Sequence, residues 1–261
     1  MKICTLASSS SGNCTVISHN STNLLIDAGI SLRRIREGLR GVGLTPDDIT
    51  CVLVTHEHVD HISGINMLVK YHKLPVFSSF GAGDGLCGAI PGVEPFLNCF
   101  EIGSELLFGE IAVRSFATPH DAPGSVGYTL QAGGKKLAYV TDLGCVTDEV
   151  RRAACGADMA VIEANHDRDM LKSGPYPYFL KARILSERGH LANSDSGRFA
   201  AGLADAGARR ILLAHLSRDN NTPALARDAV GYALREGGFI MDRQVELDVA
   251  PPDTAGRTYV L

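Results

Sequence analysis

The sequence predicts an α/β fold, one domain of two packed sheets flanked by helices. Short apolar strand candidates crowd the first half of the chain, and strand and helix candidates alternate through the second. No linker, short-period repeat or low-complexity tract beyond Ser8-Ser9-Ser10-Ser11 divides the 261 residues. At 45% hydrophobic residues the chain can fill a sizeable core.

The elements follow in order. Ile3–Leu6, Cys14–Ser18 and Leu24–Asp27 read as strands separated by turns. Leu32, Ile35, Leu39 and Val42 recur at helical offsets; Ser31 can cap that helix, and Gly41 and Gly43 mark its end. Cys51-Val52-Leu53-Val54 is a continuous apolar run, as in a strand buried on both faces. Further strands are expected at Val76–Ser78, Ile111–Ala117, Gly127–Gln131, Lys136–Thr141, Met159–Glu163, Ile211–Ala214 and Gln244–Val249. Helices are expected at Ile62–Val69, Asp148–Ala154, Tyr178–Arg188, Ser196–Ala206 and Ala224–Glu236. The last has Thr222 as a cap, Pro223 at its first position and Gly237-Gly238 at its end.

Composition excludes several classes. The formal net charge of −4 is not that of a uniformly basic nucleic-acid binder, although it leaves room for a local basic patch. No apolar run approaches the ~18 residues of a membrane span, and the first residues do not read as a signal peptide. Seven cysteines without a C-x-x-C pair argue against a disulfide framework and a cysteine zinc knuckle. A reduced, cytoplasmic protein without membrane contact is expected.

Thr55-His56-Glu57-His58-Val59-Asp60-His61 is the sharpest feature. It follows the buried strand and precedes a helix. In extended chain residues i and i+2 point the same way, so His56 and His58 can face one ion. Asp60 and His61, at the turn into the helix, can project towards a second. Imidazole suits zinc, iron and manganese, and carboxylate adds hard-oxygen character. A solvated His-rich loop is the structural alternative. Four donors do not fill two metal sites. His120, Asp142 and His215 each sit in a turn after an expected strand, and are the further candidates.

These residues resemble the metallo-β-lactamase superfamily, whose signature is H-x-H-x-D-H followed by separate His, Asp and His ligands. The resemblance implies a four-layer αββα sandwich. It implies that His56, His58 and His120 hold a first metal, Asp60, His61 and His215 a second, and that Asp142 bridges. Asp27 would hold the ligand loop from behind. Two divalent ions, Zn or Mn, would activate a bridging hydroxide. Such ions do not readily protonate a leaving group, so a further titratable residue is sought.

Longer stretches narrow the resemblance. Ala7-Ser8-Ser9-Ser10-Ser11-Gly12-Asn13, Glu163-Ala164-Asn165-His166-Asp167, Tyr176-Pro177, Gly189-His190-Leu191-Ala192-Asn193 and His215-Leu216-Ser217-Arg218-Asp219-Asn220-Asn221-Thr222-Pro223 are similar to the YycJ/WalJ group. Ser9 and Ala192 depart from its pattern, where Gly and Ser are expected. The resemblance implies a nuclease without a β-CASP insertion, acting 5′ to 3′ on DNA, with Asp60 essential. His190 or His166 could donate the leaving-group proton. Ser10, Ser11 and Asn13 in the first turn, and Asn193 and Ser194 before a helix, could bind phosphate. Simple turn formation and helix capping are the alternatives there. Tyr176, Tyr178 and Phe179 could stack on unpaired bases or pack in the core. His19 and His72 are read as surface residues. A small-molecule phosphodiesterase, a thioester hydrolase, a β-lactamase and a non-catalytic nucleic-acid-binding protein are the rival functions. Oligomeric state is open.

Overall fold

A computed structural model describes residues 1–261. Fourteen strands form two seven-stranded sheets. They are β1 (Lys2–Ala7), β2 (Cys14–His19), β3 (Thr22–Ile26), β4 (Cys51–Leu53), β5 (Val76–Ser79), β6 (Leu97–Phe100), β7 (Glu105–Phe108), β8 (Ile111–Ala117), β9 (Val126–Ala132), β10 (Lys135–Val140), β11 (Met159–Glu163), β12 (Arg210–Ala214), β13 (Glu246–Val249) and β14 (Tyr259–Val260). One sheet runs β14-β1-β2-β3-β4-β5-β6 and the other β13-β12-β11-β10-β9-β8-β7. The helices are α1 (Leu32–Gly41), α2 (Val59–Ile62), α3 (Ile65–His72), α4 (Phe80–Ala89), α5 (Asp148–Ala154), α6 (Arg168–Ser173), α7 (Tyr178–Ile184), α8 (Asn193–Asp205) and α9 (Pro223–Glu236).

The central strands read as unbroken apolar runs because both their faces are covered. Leu24 and Ile26 of β3 join the core between the sheets, whereas Leu25 joins the core under α1 and α3. Met159 and Val161 of β11 point between the sheets, and Ala160 and Ile162 pack under α8 and α9. Three cores therefore separate four layers, helices–sheet–sheet–helices, as expected. Ser31 and Thr222 accept backbone hydrogen bonds as caps of α1 and α9. All seven cysteines are free, and no helix is long and apolar enough to cross a membrane.

Four departures from the expected elements have physical causes. The helix expected at Ile62–Val69 is two, α2 and α3, broken at Ser63-Gly64. A Cβ on Gly64 would lie 2.3 Å from the Ile30 carbonyl oxygen, so the chain crosses there at backbone contact. Helix α4 was not expected, since four of its ten residues are glycine. Tertiary packing overrides that poor propensity: a Cβ at position 83 would meet Cys99 Sγ at 2.6 Å. Helix α7 ends at Ile184, not Arg188, because the chain folds back and the His190 amide donates to the Ile184 carbonyl. Helix α8 starts at Asn193, so Ser194 lies inside it and does not cap it; the cap is Ala192, which offers no side-chain acceptor. Ala192→Ser is expected to stabilise the protein by about 0.5–2 kcal/mol, the worth of a missing N-cap. A midpoint of thermal unfolding that stayed put or fell would contradict this.

Candidate metal centre

The site lies where the strands of both sheets end, at their C-terminal edges. Asp27 follows β3, His56 follows β4, His120 follows β8, Asp142 follows β10, Glu163 ends β11 and His215 follows β12. Asp27, Asp142 and His215 all have left-handed backbones, with φ of 59°, 57° and 57°. That conformation is uncommon outside glycine and gathers at functional sites. Here it turns each side chain sharply off the strand end, towards the others.

Three of the five imidazoles are oriented from behind by a carboxylate or carbonyl, and Thr55 Oγ1 lies 3.1 Å from His56 Nδ1. His61 Nδ1 donates to Asp27 Oδ2 at 2.8 Å, and Asp27 also accepts from the Thr55 amide and hydroxyl. His215 Nδ1 donates to Glu163 Oε1 at 2.8 Å. His120 Nδ1 donates to the Gly189 carbonyl at 3.1 Å. Such outer bonds fix the tautomer and turn the opposite nitrogen towards the centre, where it can meet a cation; at His61 that nitrogen also lies 3.2 Å from Asn13 Nδ2.

The inward-turned atoms converge. His120 Nε2 is 3.3 Å from His58 Nδ1, and the ring of His56 is 4.5 Å from that of His58 and 4.8 Å from that of His120. His61 Nε2 is 3.3 Å from Asp60 Oδ2 and 3.4 Å from Asp142 Oδ2. His215 Nε2 is 3.3 Å from both Asp60 Oδ2 and Asp142 Oδ1. His56, His58 and His120 make one group, and Asp60, His61 and His215 make another. Asp142 reaches the space between them, close to His56 and His61 on one side and to His190 and His215 on the other. His56 Nε2 and Asp142 Oδ2 are buried without a hydrogen-bond partner. Buried polar atoms are seldom left so, and both fit a divalent cation bound between these side chains.

The charges say the same. Burial opposes protonation of His61 and His215, but Asp142 beside both outweighs it, with help from Asp60 and from Asp27 or Glu163. His61 is held well above the usual histidine range and His215 is pushed up to about 10. His56, walled in and beside other imidazoles, is held well below it. Asp60 is drawn far below the carboxylate range by His61 and His215, against the opposing effect of burial. Metal ligation needs neutral imidazole. Cation binding near pH 7 is therefore expected to release protons, and affinity to rise from pH 6 to pH 8. Titration calorimetry in buffers of different ionisation enthalpy measures this; no proton release would contradict it. In the metal-free protein the sign reverses. The His215 contribution to stability is complete below about pH 6.5, its unfolded value, and is lost as pH climbs to about 10.

The remaining sequence candidates divide. Ser10 lines a cavity of about 230 Å³ beside the centre, with Asp121, Asn165, Arg183, His190 and Ser217. His190, 20% exposed, donates Nδ1–H to Glu163 Oε1 at 2.8 Å and faces that cavity. Ser11 is exposed but does not line it. The backbone amides from Ser8 to Asn13 are all bonded internally, so the turn offers no N–H cradle for phosphate. Asn13 is buried and donates to the Ser9 carbonyl and towards Asp60, so it braces the ligand loop. Asn193 is buried in a reciprocal amide pair with Asn221. Ser194 accepts from Arg168. His166 is buried, with neither ring nitrogen bonded, and burial pushes it down to about 4. It does not line the cavity. His72 pairs with Asp47 and Arg36, and His19 lies near Glu110.

Glu163 was not singled out from the sequence. It is wholly buried and accepts four hydrogen bonds, from His190, His215 and the Leu143 and Leu191 amides. The available signal was a lone carboxylate closing the apolar strand Met159-Ala160-Val161-Ile162, as Asp27 closes Leu24-Leu25-Ile26.

Comparisons place the chain among known proteins. Residues 22–216 match the family model of the beta-lactamase superfamily domain. The chain is 38% identical to exodeoxyribonuclease YycJ of Bacillus anthracis over 250 residues, 95% of this chain and 94% of that protein. It is 32% identical to exodeoxyribonuclease WalJ of Streptococcus pneumoniae over 255 residues, 96% of this chain and 94% of that one. The crystal structure of the metallo-beta-lactamase fold protein YhfI from Bacillus subtilis superposes with a TM-score of 0.75 at 18% identity, covering 99% of this chain and 98% of that one. The chain belongs to the metallo-β-lactamase-fold superfamily, and within it to the YycJ/WalJ group.

Proposed function

We propose that the protein is a dinuclear-metal-dependent phosphodiesterase that degrades nucleic acid, a 5′-to-3′ DNA exonuclease of the cytoplasm, acting as a single catalytic domain without a β-CASP insertion. The observation that carries the reading is the pair of adjoining donor groups with Asp142 between them. The identity to two exodeoxyribonucleases over nearly the whole chain supports the substrate.

His56, His58 and His120 would hold one ion, Asp60, His61 and His215 the other, and Asp142 both. When bound, two Zn or Mn ions supply Lewis acidity at a phosphoryl oxygen and a hydroxide at neutral pH. The chain's own residues do the rest. Asp27 and Glu163 keep His61 and His215 aimed. His190, pinned through Nδ1, presents its other nitrogen to the cavity, where a departing oxygen needs a proton. His166, buried and held neutral near pH 7, is left out of that step. Ser10 offers a hydroxyl to substrate at the cavity wall.

His190→Ala is expected to lower kcat by roughly 10²–10⁴-fold, the span of general acid catalysis, with both metals retained. Loss of metal by elemental analysis would make it a ligand instead. The function itself is tested with 5′-labelled single- and double-stranded DNA and RNA and metal-loaded protein. Stepwise shortening of DNA from the 5′ end is expected. Intact strands in Mn²⁺, Zn²⁺ and Mg²⁺ would overturn the reading.

A further inference from the structure

Helix α7 has no buried residue, yet it walls the cavity through Leu180, Arg183 and Ile184. It is held by a few polar ties: Arg183 pairs with Asp121, and Lys181 Nζ donates to the carbonyls of Lys172 and Gly174. At its start two large rings stand in solvent, Tyr178 at 86% exposure and Phe179 at 74%. Tyr176, just before them, is spoken for, donating its hydroxyl to Asp219 at 2.6 Å. Contiguous exposed apolar surface rimmed by polar residues marks interaction sites.

We propose that Tyr178 and Phe179 form a stacking platform for unpaired bases of the strand whose scissile phosphate lies at the metal centre. The proposal rests on the nuclease reading and deepens it. Two features of the face select this occupant. The platform opens the same helix that walls the cavity, and the residue after it, Leu180, is part of that wall. The segment is also basic in an acidic protein. From Arg168 to Arg188 five Lys/Arg stand against two Asp/Glu, while the whole chain carries −4. Aromatic faces beside cations fit single-stranded nucleic acid, because every base has a π-face and every linkage a charge.

The test uses the metal-loaded enzyme carrying Tyr178→Ala with Phe179→Ala, and a second form with Tyr178→Phe and Phe179→Tyr. On single-stranded DNA the alanine form is expected to raise KM roughly 10- to 100-fold, the worth of one or two lost stacks, with kcat little changed. The aromatic swap should restore KM, and turnover of a fluoroalkyl phosphodiester, which has no ring to stack, should be the same in all three. Wild-type enzyme on a strand with abasic sites behind its 5′ end should behave as the alanine form does on normal DNA, without further loss when both are combined. Equal oligonucleotide affinity of wild type and alanine form, by fluorescence anisotropy, overturns the platform whether or not the strand is cut. So does an equal fall on the small phosphodiester, which would make the rings structural. A change in sedimentation without a change in DNA affinity overturns it too, as the face would then join two copies. Failure of wild type to cut any nucleic acid sinks the nuclease reading separately.

Discussion

Replacing Glu163 is expected to disable the site from behind, without removing any proposed ligand. Its Oε1 accepts from both His190 and His215, and its Oε2 from the Leu191 and Leu143 amides. Every donor points inward, so Glu163→Gln must turn an NH₂ group against two N–H groups, whichever way it flips. Glu163→Ala leaves four donors bare. Removing one partner from a buried charged network costs on the order of 3–5 kcal/mol, and loss of an outer-shell partner about 10- to 100-fold in metal affinity or activity. Both variants should therefore unfold earlier in denaturant, bind metal more weakly and turn over more slowly. The pH dependence has a definite sign. Burial disfavours the Glu163 carboxylate, but His190 and His215 outweigh it and hold Glu163 below the usual carboxylate range. That stability is present above about pH 4.5, the ordinary glutamate region, and is lost as acid protonates the folded carboxylate. Wild-type stability and metal content in Glu163→Gln would contradict this account.

A larger loss in activity is expected from Asp142→Asn. The carboxylate puts one oxygen 3.4 Å from His61 and the other 3.3 Å from His215, both of one donor group, and it clusters with His56 of the other group as well. Asparagine can replace it at φ 57° because Asn, like Asp, tolerates the left-handed region. Alanine there would add backbone strain to the lost charge, so Asn is the cleaner probe. The folded variant should bind fewer than the wild-type number of ions. It should lose more than about 10²-fold in kcat/KM, beyond the range of an outer partner. Elemental analysis alongside DNA turnover reads both. Full metal content with unchanged turnover would show that no cation depends on this residue.

What could be read from sequence was what local chemistry writes plainly. Unbroken runs such as Cys51–Val54 show strands covered on both faces. The cluster His56–His61 shows donors too dense for a solvated loop. His120, Asp142 and His215 were legible because each punctuates an apolar run. Features set by distant contacts were not. Four glycines hid α4, since its reason lies in Cys99 and Glu57 packed against it. The brace formed by Glu163 depends on His190 and His215, 27 and 52 residues away. Asn13 and Asn193 looked like phosphate ligands because one sits in a polar turn between strands and the other before a helix. Burial turned them inward, towards Asp60 and Asn221.

The two buried carboxylates behind the histidines have a mechanical consequence. Asp27 belongs to one sheet and Glu163 to the other, and each aims its own imidazole at the seam between them. A cation held by Asp60, His61 and His215 would thus be gripped from both halves at once, each grip anchored to the end of a central strand. Such an ion would work as a clasp across the sandwich. Opening the seam and releasing the cation would then be one event, coupling the integrity of the fold to the occupancy of its centre.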